Sequence, residues 1–244
     1  MSLILCLIYE VITSLMINIT NNVNPTPQNN ILVTYLKVLL LSFIQIANTS
    51  EANDTTSQDY RLVWADEFEV DGKPNPDNWG YEHGLVRNNE FQWYQPENAF
   101  VKNGLLVIQG RRELRLNNNY QRGNKDWKRK REFVDYTSAS LNTKGLHSWK
   151  YGRFEVRARI STQPGLWPAI WFLGVDGMWP DNGEIDLMEY YNGHILANAC
   201  WGTGKRGVAK WDISKTKIRE FENHNWANNF HIWRMEWNSE AINL

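Results

Sequence analysis

The chain has 244 residues, 42% of them hydrophobic and 22% charged, which is enough apolar material for one substantial core under a surface of ordinary charge density. A formal net charge of −1 supplies no field that would draw in nucleic acid or an acidic membrane. The five histidines and two cysteines never fall into an H-E-x-x-H or Cys/His spacing, which argues against a zinc hydrolase and yields no metal-ligand set.

Residues 1–57 read as a hydrophobic N-terminal segment and a linker. Residues 3–19 form an apolar run interrupted by Glu10, an Asn/Pro-rich stretch follows, and Lys37 opens a second run over 38–47. One positive charge, about ten apolar residues and the small polar stretch after Ala47 have the shape of a secretory signal peptide. Neither run is long and uninterrupted enough to be read as a spanning helix. Two export-like segments in tandem place the expected biological start near Ile31. Residues 48–58, rich in Asn, Ser and Thr, then form a linker. The expected location is secreted or periplasmic, with tethering to the membrane by the hydrophobic segment as the alternative. Cys6 lies in this segment, so it and Cys200 imply no structural disulfide.

Residues 58–244 read as one domain. Segments 61–68, 104–110, 166–174, 183–190, 195–201 and 230–237 are short and rich in apolar or aromatic residues, with Gly, Pro, Asn and Asp between them. In 151–160, Phe154, Val156, Ala158 and Ile160 share one face while Arg153, Glu155, Arg157 and Arg159 share the other, the period of a half-buried strand. No segment sustains a helical stripe beyond two turns. The fold class is therefore all-β, an antiparallel sandwich or barrel. Residues 238–240 read as a turn and 241–244 as the start of a returning strand, so the domain's last strands are expected to be missing and an edge left open. All 13 tryptophans follow position 63; indoles serve aromatic β cores, and they also stack on sugar rings.

The segment 183–193 carries the chemistry. Glu184, Asp186 and Glu189 interrupt an otherwise apolar strand, where buried charge is costly unless it is used. Glu184 and Asp186 share a face, and Glu189 has the wrong parity. A β-bulge near Leu187 and Met188 would bring it back. Two carboxyls about 5 to 5.5 Å apart suit a retaining glycosidase, in which one attacks the anomeric carbon and the other protonates the leaving oxygen. The bland alternative is three acids on a solvated face; Trp167, Trp171, Trp179 and Trp201, close in sequence, argue for an aromatic-walled groove instead. Gly202, Gly204 and Gly207 spell G-x-G-x-x-G, but neither an amphipathic helix nor a βαβ unit follows, so a turn is expected and no nucleotide.

The run GEIDLMEY resembles the E-[hydrophobic]-D-x-x-E signature of glycoside hydrolase family 16. RLVWADEFE, NNEFQWY, NGLLVI and YGRFEVRARISTQPGLWPAIWFL are similar to further segments of that family, in the family's order. The two-residue spacer before Glu189 is similar to the bulged branch of laminarinases, agarases, porphyranases and κ-carrageenases. The resemblance implies a β-jelly roll of two antiparallel sheets with a concave cleft, and an endo-acting, retaining hydrolase of a β-linked polysaccharide, either a β-glucan such as laminarin or a marine galactan. It implies Glu184 as nucleophile, Asp186 as its helper and Glu189 as acid/base, with a lowered pKa at the nucleophile and a raised one at the acid. Substrate contacts are implied at Arg87, Asn89, Trp167, Trp179 and Trp201.

Ser140 stands where many laminarinase-like relatives carry a sugar-contacting Arg, and Cys200 where some carry His. No cofactor is expected to be required, although the family implies a structural calcium in a full-length domain. A polysaccharide is the expected partner of a monomer. The alternatives are a non-catalytic carbohydrate-binding protein on the same fold, or an inactive gene fragment; the presence of all three acids separates the enzyme from the binding protein.

Overall fold

The computed structural model describes residues 1–7, 60–223 and 225–244. The second apolar run and the linker expected before residue 58 lie outside the described residues. The strands in chain order are β1 (Ser2–Leu7), β2 (Gly80–Tyr81), β3 (Gln92–Tyr94), β4 (Ala99–Lys102), β5 (Leu105–Ile108), β6 (Arg111–Leu116) and β7 (Phe133–Asn142). They continue with β8 (Gly152–Ala158), β9 (Ala169–Leu173), β10 (Glu184–Tyr191), β11 (His194–Gly202), β12 (Ala209–Lys217), β13 (His231–Trp237) and β14 (Ile242–Asn243). Helix is confined to single 3-10 turns among the described residues.

The large sheet runs β12-β11-β10-β9-β1-β7-β2, with β3 and β6 also pairing with β7; a second sheet runs β14-β13-β8, and β4 and β5 form a hairpin. One core joins them. Ala139 and Leu141 of β7, Ile170 and Phe172 of β9, and Ile185 of β10 meet Ile108 of β5, Ala158 of β8 and Met235 of β13. Phe154 of β8 sets its ring edge-on to Phe172 at 5.2 Å. Each fully buried side chain of this size contributes about 1.5–3 kcal/mol of transfer free energy, so every strand with two inward residues is tied to the opposite layer.

The alternation in β8 is as expected, with Arg153, Glu155 and Arg157 exposed. Its outer face pairs with β13 through Arg153–Glu236 and Arg234–Glu155, each 2.7 Å, at cross-strand positions in register. The expected return after β13 is present, since Glu236 and Trp237 pair with Asn243 and Ile242.

One expectation is corrected. Residues 61–68 are not a strand: no described strand lies beside them, and Leu62 and Val63 are 81% and 70% exposed. An alternating pattern qualifies a segment for a ladder, but the ladder also needs a neighbour. The segment is instead pinned by Asp66, whose carboxylate accepts from Trp79 Nε1 at 2.8 Å and Asn78 Nδ2 at 3.0 Å. Part of the first apolar run pairs in the large sheet. Strand β1 lies antiparallel to both neighbours, with Ile4 in register with Asn142 of β7 and Trp171 of β9.

Candidate active site

Strand β10 begins with Glu184 between Leu173 of β9 and Cys200 of β11, and Asp186 follows between Trp171 and Asn198. The register then slips. On β9 the partner advances one residue, to Ile170, while β10 advances two, to Met188; on β11 it advances two, to Leu196, while β10 advances three, to Glu189. The extra residue is the bulge expected from the parity of the acids. Ile185, Leu187 and Met188 are all buried at 4% exposure or less, so the two consecutive apolar residues of the bulge serve the core while Glu189 returns to the face of Glu184 and Asp186.

Each acid is held by a donor from a different element. Trp179 Nε1, in the loop before β10, donates to Glu184 Oε2 at 2.6 Å, and Trp167 Nε1, before β9, donates to Glu189 Oε1 at 2.8 Å. Asn198 Nδ2 donates to Asp186 Oδ2 at 2.9 Å and to Glu189 Oε2 at 3.1 Å. One side chain thereby touches both acids, which places the three carboxylates in one site.

Crowding and burial dominate the electrostatics. Burial, then the neighbouring charge of Asp186, pushes Glu184 up to about 7, against the Trp179 hydrogen bond and the Arg87 charge. Asp186 is pushed up to about 7 by burial and the charge of Glu189, against its bond from Asn198. Glu189 is raised by burial, opposed chiefly by Trp167 and Asn198. The expected depression at Glu184 is therefore not found. Three acids so close and so shielded cannot all ionise near neutrality, and a charge on Asp186 disfavours one on Glu184.

The remaining candidates divide. Arg87 is brought to the acids: it pairs with Glu82, lies over the Trp171 ring at 5.2 Å, and its charge acts on Glu184. Ser140 Oγ donates to Glu82 Oε2 at 2.6 Å, so this serine works through Glu82 on Arg87. Asn89 is exposed at φ 54 in the turn closed by Glu90 N–H on the Arg87 carbonyl. Trp201 follows Cys200, whose thiol burial and the charges of Glu184 and Asp186 push up to about 11; strand alternation therefore turns Trp201 to the opposite face. The indole that joins the acid row is Trp211, in register with Cys200 and 40% exposed. Neither Trp211 nor Asn198 was singled out from the sequence. Strand parity counted from the acids onto β11 could have found Asn198, and the same count carried across the hairpin to β12 could have found Trp211.

The glycine run is a hairpin turn. Gly204 and Gly207 take φ of 77° and 72° between β11 and β12. Gly202 is there for space, since a Cβ would lie 1.8 Å from Asp181 Oδ1; this close approach seats the loop that carries Trp179. Among the described residues no group of three or more His, Cys, Asp or Glu side chains is arranged to hold a metal ion.

Comparison with known proteins agrees with this geometry. The model of Glycosyl hydrolases family 16 matches residues 88–244. A β-glucanase of Rhodothermus marinus is 36% identical over 204 residues, covering 75% of this chain and 61% of that protein; the chain thus spans under two thirds of that relative. A structure described under endo-acting O-glycanases that initiate mucin breakdown, from the human gut microbiota, superposes with a TM-score of 0.68 at 32% identity, over 77% of this chain and 68% of that one. The laminarinase catalytic domain of Thermotoga maritima gives 0.60 at 31% identity, over 76% and 73%. The jelly-roll expectation is thereby met. With the bulged acid strand, the family match and these neighbours in agreement, the chain belongs to glycosyl hydrolase family 16.

Proposed function

We propose that this chain cleaves internal bonds of a β-linked polysaccharide by double displacement with retention of configuration. The observation that carries this is the bulge at Leu187, which sets Glu189 beside Asp186 and Glu184 on one sheet face, each outer glutamate receiving an indole N–H. In the first step a Glu184 oxygen bonds to the anomeric carbon as the glycosidic C–O bond breaks. Glu189 gives its proton to the departing oxygen, and a neutral Asp186 leaves the nucleophile ionised without a second charge beside it. In the second step Glu189 takes a proton from water, the water oxygen bonds to the anomeric carbon, and the ester to Glu184 breaks. Trp179 and Trp167 hold the two carboxylates in place, and Arg87 over Trp171 supplies a fixed cation at one flank.

The substrate class is a β-glucan or a β-galactan. Relatives and neighbours named as β-glucanase and laminarinase support the first, a relative named as a keratan-sulfate endo-1,4-β-galactosidase supports the second, and Ser140, bound to Glu82, offers no arginine to a sugar. A hydrolysis screen against laminarin, mixed-linkage glucan, agarose, porphyran, carrageenan and mucin glycans is expected to show one preferred polymer cut internally, with Glu184→Gln lowering turnover at least tenfold and leaving oligosaccharide binding within a few-fold. Hydrolysis of none of them, or a Glu184→Gln variant above about a tenth of wild-type rate, contradicts the proposal. We also propose export, on the signal-like run over 38–47; N-terminal sequencing of the secreted protein checks it, and recovery of residues 3–19 in that protein contradicts it.

A further inference from the structure

The geometry points to Asn198 as the positioning residue that keeps Glu189 ionised once it has given up its proton, and so makes it the base of the second step. The inference rests on the roles proposed above. Asn198 sits mid-strand on β11 at 6% exposure, with Asp186 of β10 on one side and Ile213 of β12 on the other. Because the slip in β10 falls between Asp186 and Glu189, Asn198 is the position from which one short side chain reaches acids on both sides of the bulge. Its –NH2 uses one donor on Asp186 and one on Glu189, at 2.9 and 3.1 Å. The reverse orientation would set Oδ1 against two carboxylate oxygens.

The acceptor side shows what this costs. Asn198 Oδ1 is buried with no hydrogen-bond partner, a loss that an apolar residue of the same shape would not incur. The side chain is retained for what its –NH2 does. N–H groups donated to a carboxylate favour the charged form, and Glu189 receives one on each oxygen, Trp167 on Oε1 and Asn198 on Oε2. Both therefore favour the state of Glu189 that exists in the glycosyl-enzyme. The other charged or titratable groups around it are Glu184 and Asp186 on β10, Cys200 on β11, Lys215 on β12 in register with Leu196, and Arg87 beside Glu184; β9 contributes Ala169 and Trp171.

Two variants and two readouts test this. Asn198→Leu fills the volume without a donor, and Asn198→Ala leaves room for water to replace it. Carbon-13 NMR titration of the Glu189 carboxyl is expected to show its pKa raised in Asn198→Leu by about one unit, and by less in Asn198→Ala. On an activated aryl oligosaccharide of the preferred polymer, kcat is expected to fall about tenfold in Asn198→Leu with kcat/KM changed less than about threefold, because only the second step needs the base. The covalent glycosyl-enzyme should accumulate in quenched samples, and azide, which attacks without a base, should restore turnover. An unchanged Glu189 titration in both variants overturns the inference, as does kcat/KM falling as far as kcat. A wild type that hydrolyses nothing would sink the hydrolase reading instead, and the titration would still decide whether Asn198 holds Glu189.

Discussion

At the scale of single residues, the site depends on N–H donors as much as on acids. Trp179 meets Glu184 at 2.6 Å and Trp167 meets Glu189 at 2.8 Å, so the two indoles offer polar edges where the sequence suggests only sugar-stacking faces. Trp179→Phe keeps the ring and removes the donor that lowers the Glu184 pKa. Glu184 must then ionise at higher pH, so the acidic limb of the kcat/KM profile should move upward while the alkaline limb stays; a uniform loss of rate at every pH would instead mean that Trp179 only shapes the cleft. The acids were legible because three charges in an apolar strand are costly to bury unless chemistry uses them. Their donors were not, since an indole edge carries no sequence signature and Asn198 reads as one more polar residue in ILANACW.

Elements set the direction of these side chains. Removing Leu187 would leave Glu184, Ile185, Asp186, Met188 and Glu189 in plain alternation, so Glu189 would stay on the acid face without the bulge, whereas removing Leu187 and Met188 together would turn Glu189 into the core and bury a carboxyl without a partner. Measurable hydrolysis is expected to survive the single deletion, and its loss together with a lowered Tm is expected from the double one; the reverse order would contradict the assignment of the bulge. Register also separates two tryptophans. Trp211 shares the row of Glu184 and Cys200, so Trp211→Ala should raise KM for polysaccharide about three- to tenfold, as loss of an aromatic contact worth about 0.5–1.5 kcal/mol would, whereas Trp201→Ala should change it little. Equal effects in the two variants would contradict the assignment of faces. Strands β8 to β11 and β13 were readable from alternation. Strand β7, with small polar Ser138 and Ser140 buried at 0%, and β12, exposed on both faces from Lys210 to Thr216, were not, because their place is fixed by neighbours.

Across the whole molecule, the acid cluster links function to stability. Glu184 and Asp186 are held near 7 and Glu189 is also raised, whereas unfolded carboxyls titrate near 4. Between those values the folded state binds more protons than the unfolded, so the stability these groups contribute is full below about pH 4 and is lost as the pH rises through about 7. Thermal unfolding should therefore show Tm falling from about pH 5 to 8, with a shallower fall in Glu184→Gln; parallel curves would mean that the acids are not crowded as the geometry has them. The central claim, that Glu184 is the nucleophile of a retaining hydrolase, is tested most directly by trapping the enzyme with a 2-fluoro glycoside of its preferred sugar and mapping the label by mass spectrometry. The label is expected on Glu184 alone; a label on any other residue, or inverted product with no covalent adduct, would contradict it.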